Sequence, residues 1–249
     1  MDYVALAMRF VEPGTRAVAL MGSHARGTYG PYSDIDIVRF VDDEERAPFT
    51  RLIDGQFVVV SDVSPQSVER WFTEPEAVTA YLEGVRTLVP LYDRDNYLST
   101  IVERAQVFEW TQDMQVAADR AALDMMIGTI EEVQKTLEGL RTGDIGRMLN
   151  GKHGLTWLML AVVRVKHGLL IGGDNGVVND VIKAMAPDSE WSRLCLDAFG
   201  VDGASTIKDE LRAGLSLYLL TLEMFAAEGE ERTMLDEIAA RIQRELARD

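Results

Sequence analysis

The sequence predicts an α+β protein, a small mixed-sheet domain with helices followed by an all-α bundle, and three observations predict it. Runs of β-competent apolar residues occur only before about Asp93. From Leu98 onward the apolar spacing is helical and strand-like alternation is gone. Between Thr15 and Val41 a strand, a Gly-Ser break, a helix start, a turn and an Asp-x-Asp strand follow in order.

Each element has its own signal. Residues 1–12 carry Asp2, Arg9 and Glu12 in an amphipathic helical pattern, unlike the basic start and apolar core of a secretion signal. Strands are expected at 15–21, 35–41, 56–63 and 86–92, separated by helices at 65–72 and 74–82. Helices then follow at 100–141, 147–171, 176–185, 190–199, 205–227 and 230–248. Their breaks carry Gly143, Gly172-Gly173, Asp174-Asn175-Gly176 and Pro187. The domain boundary is placed at 97/98, giving domains 1–97 and 98–249, with no fixed-period repeat and no Ser/Gly-rich linker. Close packing of the two is therefore expected. The most apolar stretch, Leu155 to Ile171, is interrupted by Arg164, Lys166 and His167 and is too short to span a bilayer, so it reads as a core helix.

Composition limits the function. The chain has 249 residues, 47% of them hydrophobic, enough for one large or two small cores. A net charge of −16 opposes nucleic acid as partner, because a polymerase needs basic surface against phosphates, and a cationic acceptor fits better. The single Cys195 excludes an internal disulfide and a cysteine zinc cluster, which fits a reducing cytoplasm, and it reads as a small apolar helix residue.

The chemistry is concentrated between Met21 and Asp36. Gly22-Ser23 ends an apolar strand and opens a helix, so Gly22 lets a phosphate approach, Ser23 adds a hydroxyl donor and Arg26, one turn on, can hold a phosphate oxygen. After Gly30-Pro31-Tyr32-Ser33 the chain reads Asp34-Ile35-Asp36-Ile37, and alternation puts both carboxylates on one face about 7 Å apart. Such a pair repels itself unless a divalent cation lies between, and oxygen-only ligands suit Mg²⁺ bound with nucleotide phosphates.

This order of elements resembles the DNA polymerase β-like nucleotidyltransferase superfamily, whose members move a nucleoside monophosphate from a nucleoside triphosphate to a hydroxyl. Within it the chain is similar to the aminoglycoside 4′-O-nucleotidyltransferases, the kanamycin nucleotidyltransferases. The similarity spans about residues 10–205 through Gly22-Ser23 with Arg26, the run from Gly30 to Ile35, Leu88 to Asp93, Glu131-Glu132 with Lys135, Leu170-Ile171-Gly172, and Leu194-Cys195. The resemblance implies Mg²⁺-dependent adenylylation of an aminoglycoside hydroxyl by ATP with loss of pyrophosphate, antibiotic resistance as its effect, and a homodimer with sites at the subunit interface. It also implies roles: Asp34 and Asp36 on the metal, Gly22, Ser23 and Arg26 on phosphates, Glu131 or its neighbour Glu132 as the base, and Lys135 on phosphate. Read from the residues alone, Glu131 and Lys135 are an i,i+4 pair of the kind that forms solvated salt bridges. Other acceptors of the same chemistry are a lincosamide or a protein side chain, and a catalytically impaired nucleotide-binding homologue is the remaining alternative.

One departure stands out. Ungapped comparison from Gly55 puts Val60 where the kanamycin enzymes carry a third carboxylate, and Asp62 lies one pleat beyond. Asp62 either completes the metal triad or caps the helix starting near Pro65. His24 either touches nucleotide or is a surface histidine of the first helical turn, and His153 and His167 lack metal-ligand spacing. Trp157 and the pair Met125-Met126 read as core or subunit interface. The acids Glu74, Glu76, Asp113, Asp124 and Glu132 either line a pocket for ammonium groups or lie on solvated faces.

Overall fold

The computed structural model describes residues 1–42, 44–201, 203 and 206–248. Of the elements expected above, only the helix at 205–227 is touched by this, its first residue Ser205 lying outside the described residues. The chain divides into two compact units, one of residues 1–114 with 170–176 and one of residues 115–169 with 177–249. The first unit thus runs beyond residue 97 and recruits a short segment from much later in the chain.

The first unit is a five-stranded mixed sheet in the order β3-β4-β2-β1-β5. Strands β1 (Thr15–Met21), β2 (Ile35–Val41) and β4 (Gln56–Val63) have the expected bounds, and β5 is Val89–Asp93. Strand β3 (Phe49–Ile53) was not expected. It is an edge strand whose middle three residues are exposed, so it lacks the apolar alternation that marks a half-buried strand. It joins β4 through Asp54-Gly55, both at positive φ, the backbone that a tight hairpin requires. Strand β2 pairs antiparallel with β1 and parallel with β4.

Alternation divides the sheet into two apolar faces. On one, Val18, Leu20, Ile35, Ile37, Val58 and Val60 pack with Leu6, Ala7 and Phe10 at helix α1 (Tyr3–Met8) and just beyond it. On the other, Ala17, Ala19, Val38, Phe40 and Val63 pack with α3 (Pro65–Thr73), α4 (Pro75–Arg86) and α5 (Tyr97–Gln106). A five-residue helix, α2 (Gly22–Arg26), follows β1 at one end of the sheet. The sheet is thus sandwiched between helices, the arrangement that hides both apolar faces. Arg86, expected in a strand, instead ends α4, and its guanidinium donates to the carbonyls of Ala105 and Phe108 at 2.9 and 3.3 Å.

The second unit is helical. It contains the larger part of α6 (Gln112–Gly128), then α7 (Ile130–Thr142), α8 (Ile145–Lys166), α9 (Val177–Ala184), α10 (Glu190–Phe199), α11 (Ile207–Leu222) and α12 (Gly229–Leu246). The single helix expected over 100–141 is three: α5 and α6 are parted by residues 107–111, and α6 and α7 by Thr129 alone. Buried Leu155, Met159, Leu160, Val162 and Val163 make α8 the core helix that its composition implied. Cys195 is fully buried on α10, where burial pushes its thiol up to about 12. Tyr218 is buried on α11 and donates to the Met126 carbonyl at 3.3 Å. Among the described residues no helix is long and apolar enough to cross a membrane.

Candidate active site

The Gly22 turn and the acidic end of β2 meet in the first unit. Register pairs Met21 with Asp36, so the residue after Met21 begins α2 beside the Asp36 carboxylate. Gly22 has φ +70°, and a Cβ built there would lie 2.3 Å from Asp36 Oδ2. Only glycine satisfies both the left-handed backbone and that close approach. Asp36, rather than a phosphate alone, therefore fills the space that the missing side chain leaves. Helix α2 ends at Gly27, also left-handed, and the Thr28 N–H donates to the Ser23 carbonyl at 2.9 Å.

The turn before β2 is locked from both sides. Gly30 N–H donates to Ser33 Oγ at 2.9 Å, and Ser33 N–H returns a bond to the Gly30 carbonyl at 3.1 Å. Asp34 leaves this turn exposed, whereas Asp36 is partly buried. Burial first and the charge of Asp34 second hold the Asp36 carboxyl above the ordinary carboxylate range, while His24 and Arg26 oppose that shift. Asp174 adds to it. That residue lies in the recruited segment, at a short 3-10 turn, Asp174–Gly176. A Cβ built on neighbouring Gly173 would meet Arg26 Nη2 at 3.8 Å, so the same segment also borders the expected phosphate-binding arginine. Sequence reading used these residues only as a helix break and missed their place beside Asp36.

His24 is not simply a surface side chain. Its ring stacks on Tyr29 at 4.2 Å, Tyr3 Oη and His24 Nδ1 are 2.9 Å apart, and Nε2 is buried. These residues border a cleft of about 840 Å³ on the α1 face, together with Arg9, Ile35 and Gln56. Neither Asp34 nor Asp36 lines that cleft.

The structure corrects the reading of Asp62 as a metal ligand. Parallel register pairs Asp36 with Val59 and Arg39 with Asp62, so Val59 and Ser61 share the face of Asp36, and Val60 and Asp62 point to the other. Val60 is buried in the α1-side core, so the ungapped comparison also set the third carboxylate on the wrong face. Arg39 donates to Asp62 Oδ1 through Nε at 2.8 Å and to Oδ2 through Nη2 at 2.7 Å. Their side chains are 1% and 3% exposed. Arg39 also reaches Glu12 at 3.2 Å, and Arg46 bonds both Asp62 and Glu12. The helix cap near Pro65 is Ser64, whose Oγ accepts from Ser67 N–H. Asp62 thus does neither of the two jobs considered for it.

Glu131 and Lys135 stand on α7 in the second unit. Lys135 Nζ lies 2.9 Å from Glu131 and 2.8 Å from Glu132. Glu132 first and Glu131 second hold the ammonium above the ordinary lysine range. The two acids differ in access: the Glu131 side chain is 76% exposed and that of Glu132 is 20% exposed. Glu132 also lies against α8, where a Cβ on Gly154 would come within 2.8 Å of its Oε2.

Residues 3–86, which hold the glycine turn and both aspartates, match the family profile described as "Nucleotidyltransferase domain". Nucleotidyl transfer is the general chemistry that this match supports. Among solved structures, a nucleotidyltransferase-like protein from Exiguobacterium sibiricum 255-15 aligns over 98% of this chain and 80% of its own, at 13% identity and a TM-score of 0.47. No curated protein matches the chain.

Proposed function

We propose that the protein transfers AMP from ATP to a hydroxyl of a small cationic acceptor, an aminoglycoside, releasing pyrophosphate, as the resemblance to the kanamycin enzymes implies. The observation that carries this reading is Asp36 packed against Gly22 with Asp34 beside it in sequence, Asp36 being held partly desolvated and above its ordinary range. Two neighbouring carboxylates, of which Asp36 is held above its ordinary range, are an oxygen donor set that fits a hard divalent cation, so Asp34 and Asp36 are the residues that would hold Mg²⁺. When bound, the cation offsets negative charge on the phosphates undergoing transfer. The remaining work falls to this chain's own groups. Ser23 and Arg26 donate to phosphate oxygens; the roles of Lys135 on phosphate and of Glu131, the more open of the two acids, as base for the acceptor hydroxyl are those that the resemblance to the kanamycin enzymes implies. The reading includes a homodimer.

A second reading has an observation in its favour. Val59 and Ser61, the β4 residues on the face of Asp36, supply no third carboxylate, and among the described residues no cluster of three or more acidic, His or Cys ligands is present. That favours a nucleotide-binding homologue without turnover. Incubation with labelled ATP, Mg²⁺ and a panel of aminoglycosides separates the two. Labelled antibiotic with stoichiometric pyrophosphate is expected. Mg²⁺-dependent ATP binding without pyrophosphate release would instead establish the second reading, and transfer to other small alcohols alone would remove the aminoglycoside assignment.

A further inference from the structure

The cleft on the α1 face has a wall built of parallel rings. His24 is gripped from two sides: Tyr3 meets it edge-on with centroids 5.9 Å apart, and Tyr29 lies within 4° of parallel at 4.2 Å. The Tyr3 hydroxyl, 2.9 Å from Nδ1, fixes the rotation of the imidazole, while Nε2 is buried with no hydrogen-bond partner among the described residues. An unmet polar nitrogen costs stability, so the position is kept for its ring rather than for its hydrogen bonds. Tyr29 is 54% exposed, which leaves the face turned from His24 open. Buried Leu6 and Ile35 add apolar lining, and exposed Gln56 offers both a donor and an acceptor. The charged side chains of the cleft are already engaged: Arg9 lies 3.7 Å from Asp54, and Asp2 accepts from the Ala5 N–H at 3.0 Å.

We propose that this cleft seats the base of the donor nucleotide, stacked on the open face of Tyr29, while the Gly22 turn takes the phosphates; the inference rests on the transfer reading above. Position and chemistry both select a base. Gly22 and His24 are two residues apart on α2, about 200° around its axis, so one short helix presents the glycine to Asp36 and the histidine to the cleft. His24 also acts on the Asp36 carboxylate through its charge, which makes the two sites neighbours. A flat heteroaromatic ring gains from a tyrosine already held parallel to a second ring, because little side-chain freedom is left to lose on binding. A charged group would instead meet Arg9 and Asp54 facing each other.

The test is isothermal titration of the full chain, in Mg²⁺, with α,β-methylene-ATP and with inorganic tripolyphosphate, which lacks the base. Expected is nucleotide binding about tenfold tighter than that of tripolyphosphate, an advantage that Tyr29→Ala removes while leaving tripolyphosphate unchanged. Tyr29→Phe, which keeps the ring, should retain it, and Tyr32→Ala, a wholly exposed tyrosine of the same turn that does not line the cleft, should alter neither ligand. Equal weakening of both ligands by Tyr29→Ala overturns the proposal, since it shows a residue that only shapes the turn, and so does no weakening of either. A Tyr29→Ala loss confined to kanamycin binding also overturns it, by giving the cleft to the acceptor. Tripolyphosphate binding as tightly as the nucleotide removes this inference alone, whereas failure of the native chain to bind either ligand removes the transfer reading with it.

Discussion

Two aspartates on neighbouring strands, Asp36 on β2 and Asp62 on β4, have the same side chain and opposite fates. Asp62 is buried with Arg39 and takes hydrogen bonds from it and from Arg46, so its charge is balanced within the fold. Asp36 lies on the other face with no cation bonded to it among the described contacts, its nearest influences being another carboxylate and, more weakly, His24 and Arg26. A carboxylate that the fold neutralises is structural, and one left unbalanced beside a second acid is available to a ligand. Sequence spacing does not separate the two, but the face of the sheet does.

The largest effects break the comparison directly. Asp62→Asn should cost about 3–5 kcal/mol in urea unfolding, because buried Arg39 then loses its bidentate partner and keeps only Glu12, half exposed, as counter-charge. The folded fraction should keep its transfer activity. Replacing the pair together, Arg39→Met with Asp62→Leu, should recover most of that loss. Asp36→Asn should do the reverse, leaving unfolding nearly unchanged while lowering turnover by roughly 100-fold or more. Loss of activity without loss of stability at Asp62 would return it to the metal site.

A smaller effect is expected at Gly22. Alanine there forces a left-handed backbone on a residue with a Cβ and drives that atom into Asp36 Oδ2, at a cost of about 1–3 kcal/mol. Turnover should fall more than stability explains, since the carboxylate must move; equal losses in both would mean that its position does not matter. The smallest effect sharpens the contrast between buried and exposed pairing. Asp42 also bonds two arginines, Arg16 first and Arg94 second, and they hold its carboxyl below the ordinary range. Its contribution is therefore present above the ordinary carboxylate value and fades as pH falls through the lowered one. Because this pair is open to solvent, Asp42→Asn should lower the melting temperature only slightly at pH 7 and not at all in acid. A loss as large as that at Asp62 would show that burial is not what distinguishes them.

Much of this was legible in the residues. The apolar runs of Thr15–Met21, Ile35–Val41 and Gln56–Val63 specify those strands because the sheet has a core on each face. The adjacency of Gly22 and Asp36 follows from a short antiparallel return, which local turn chemistry dictates. What escaped depends on long-range register. Alternation says that Asp62 shares a face with Val60, but only pairing with β2 says that this face is turned away from Asp36. Strand β3 escaped because its middle residues are exposed, and the break at Thr129 because one residue hardly disturbs a helical period. Asp174 escaped because nothing local in a glycine-rich break tells that the segment folds against a sheet completed long before it.

That last feature orders events during synthesis. The sheet and its glycine turn are available once residue 114 has left the ribosome, yet Asp174, which adds the least of the influences on Asp36, arrives only with residues 170–176. The nascent amino-terminal unit therefore lacks one segment of its fold while the intervening helices are being made, and a fragment cut after residue 114 should keep the Gly22 turn against Asp36 without the charge of Asp174.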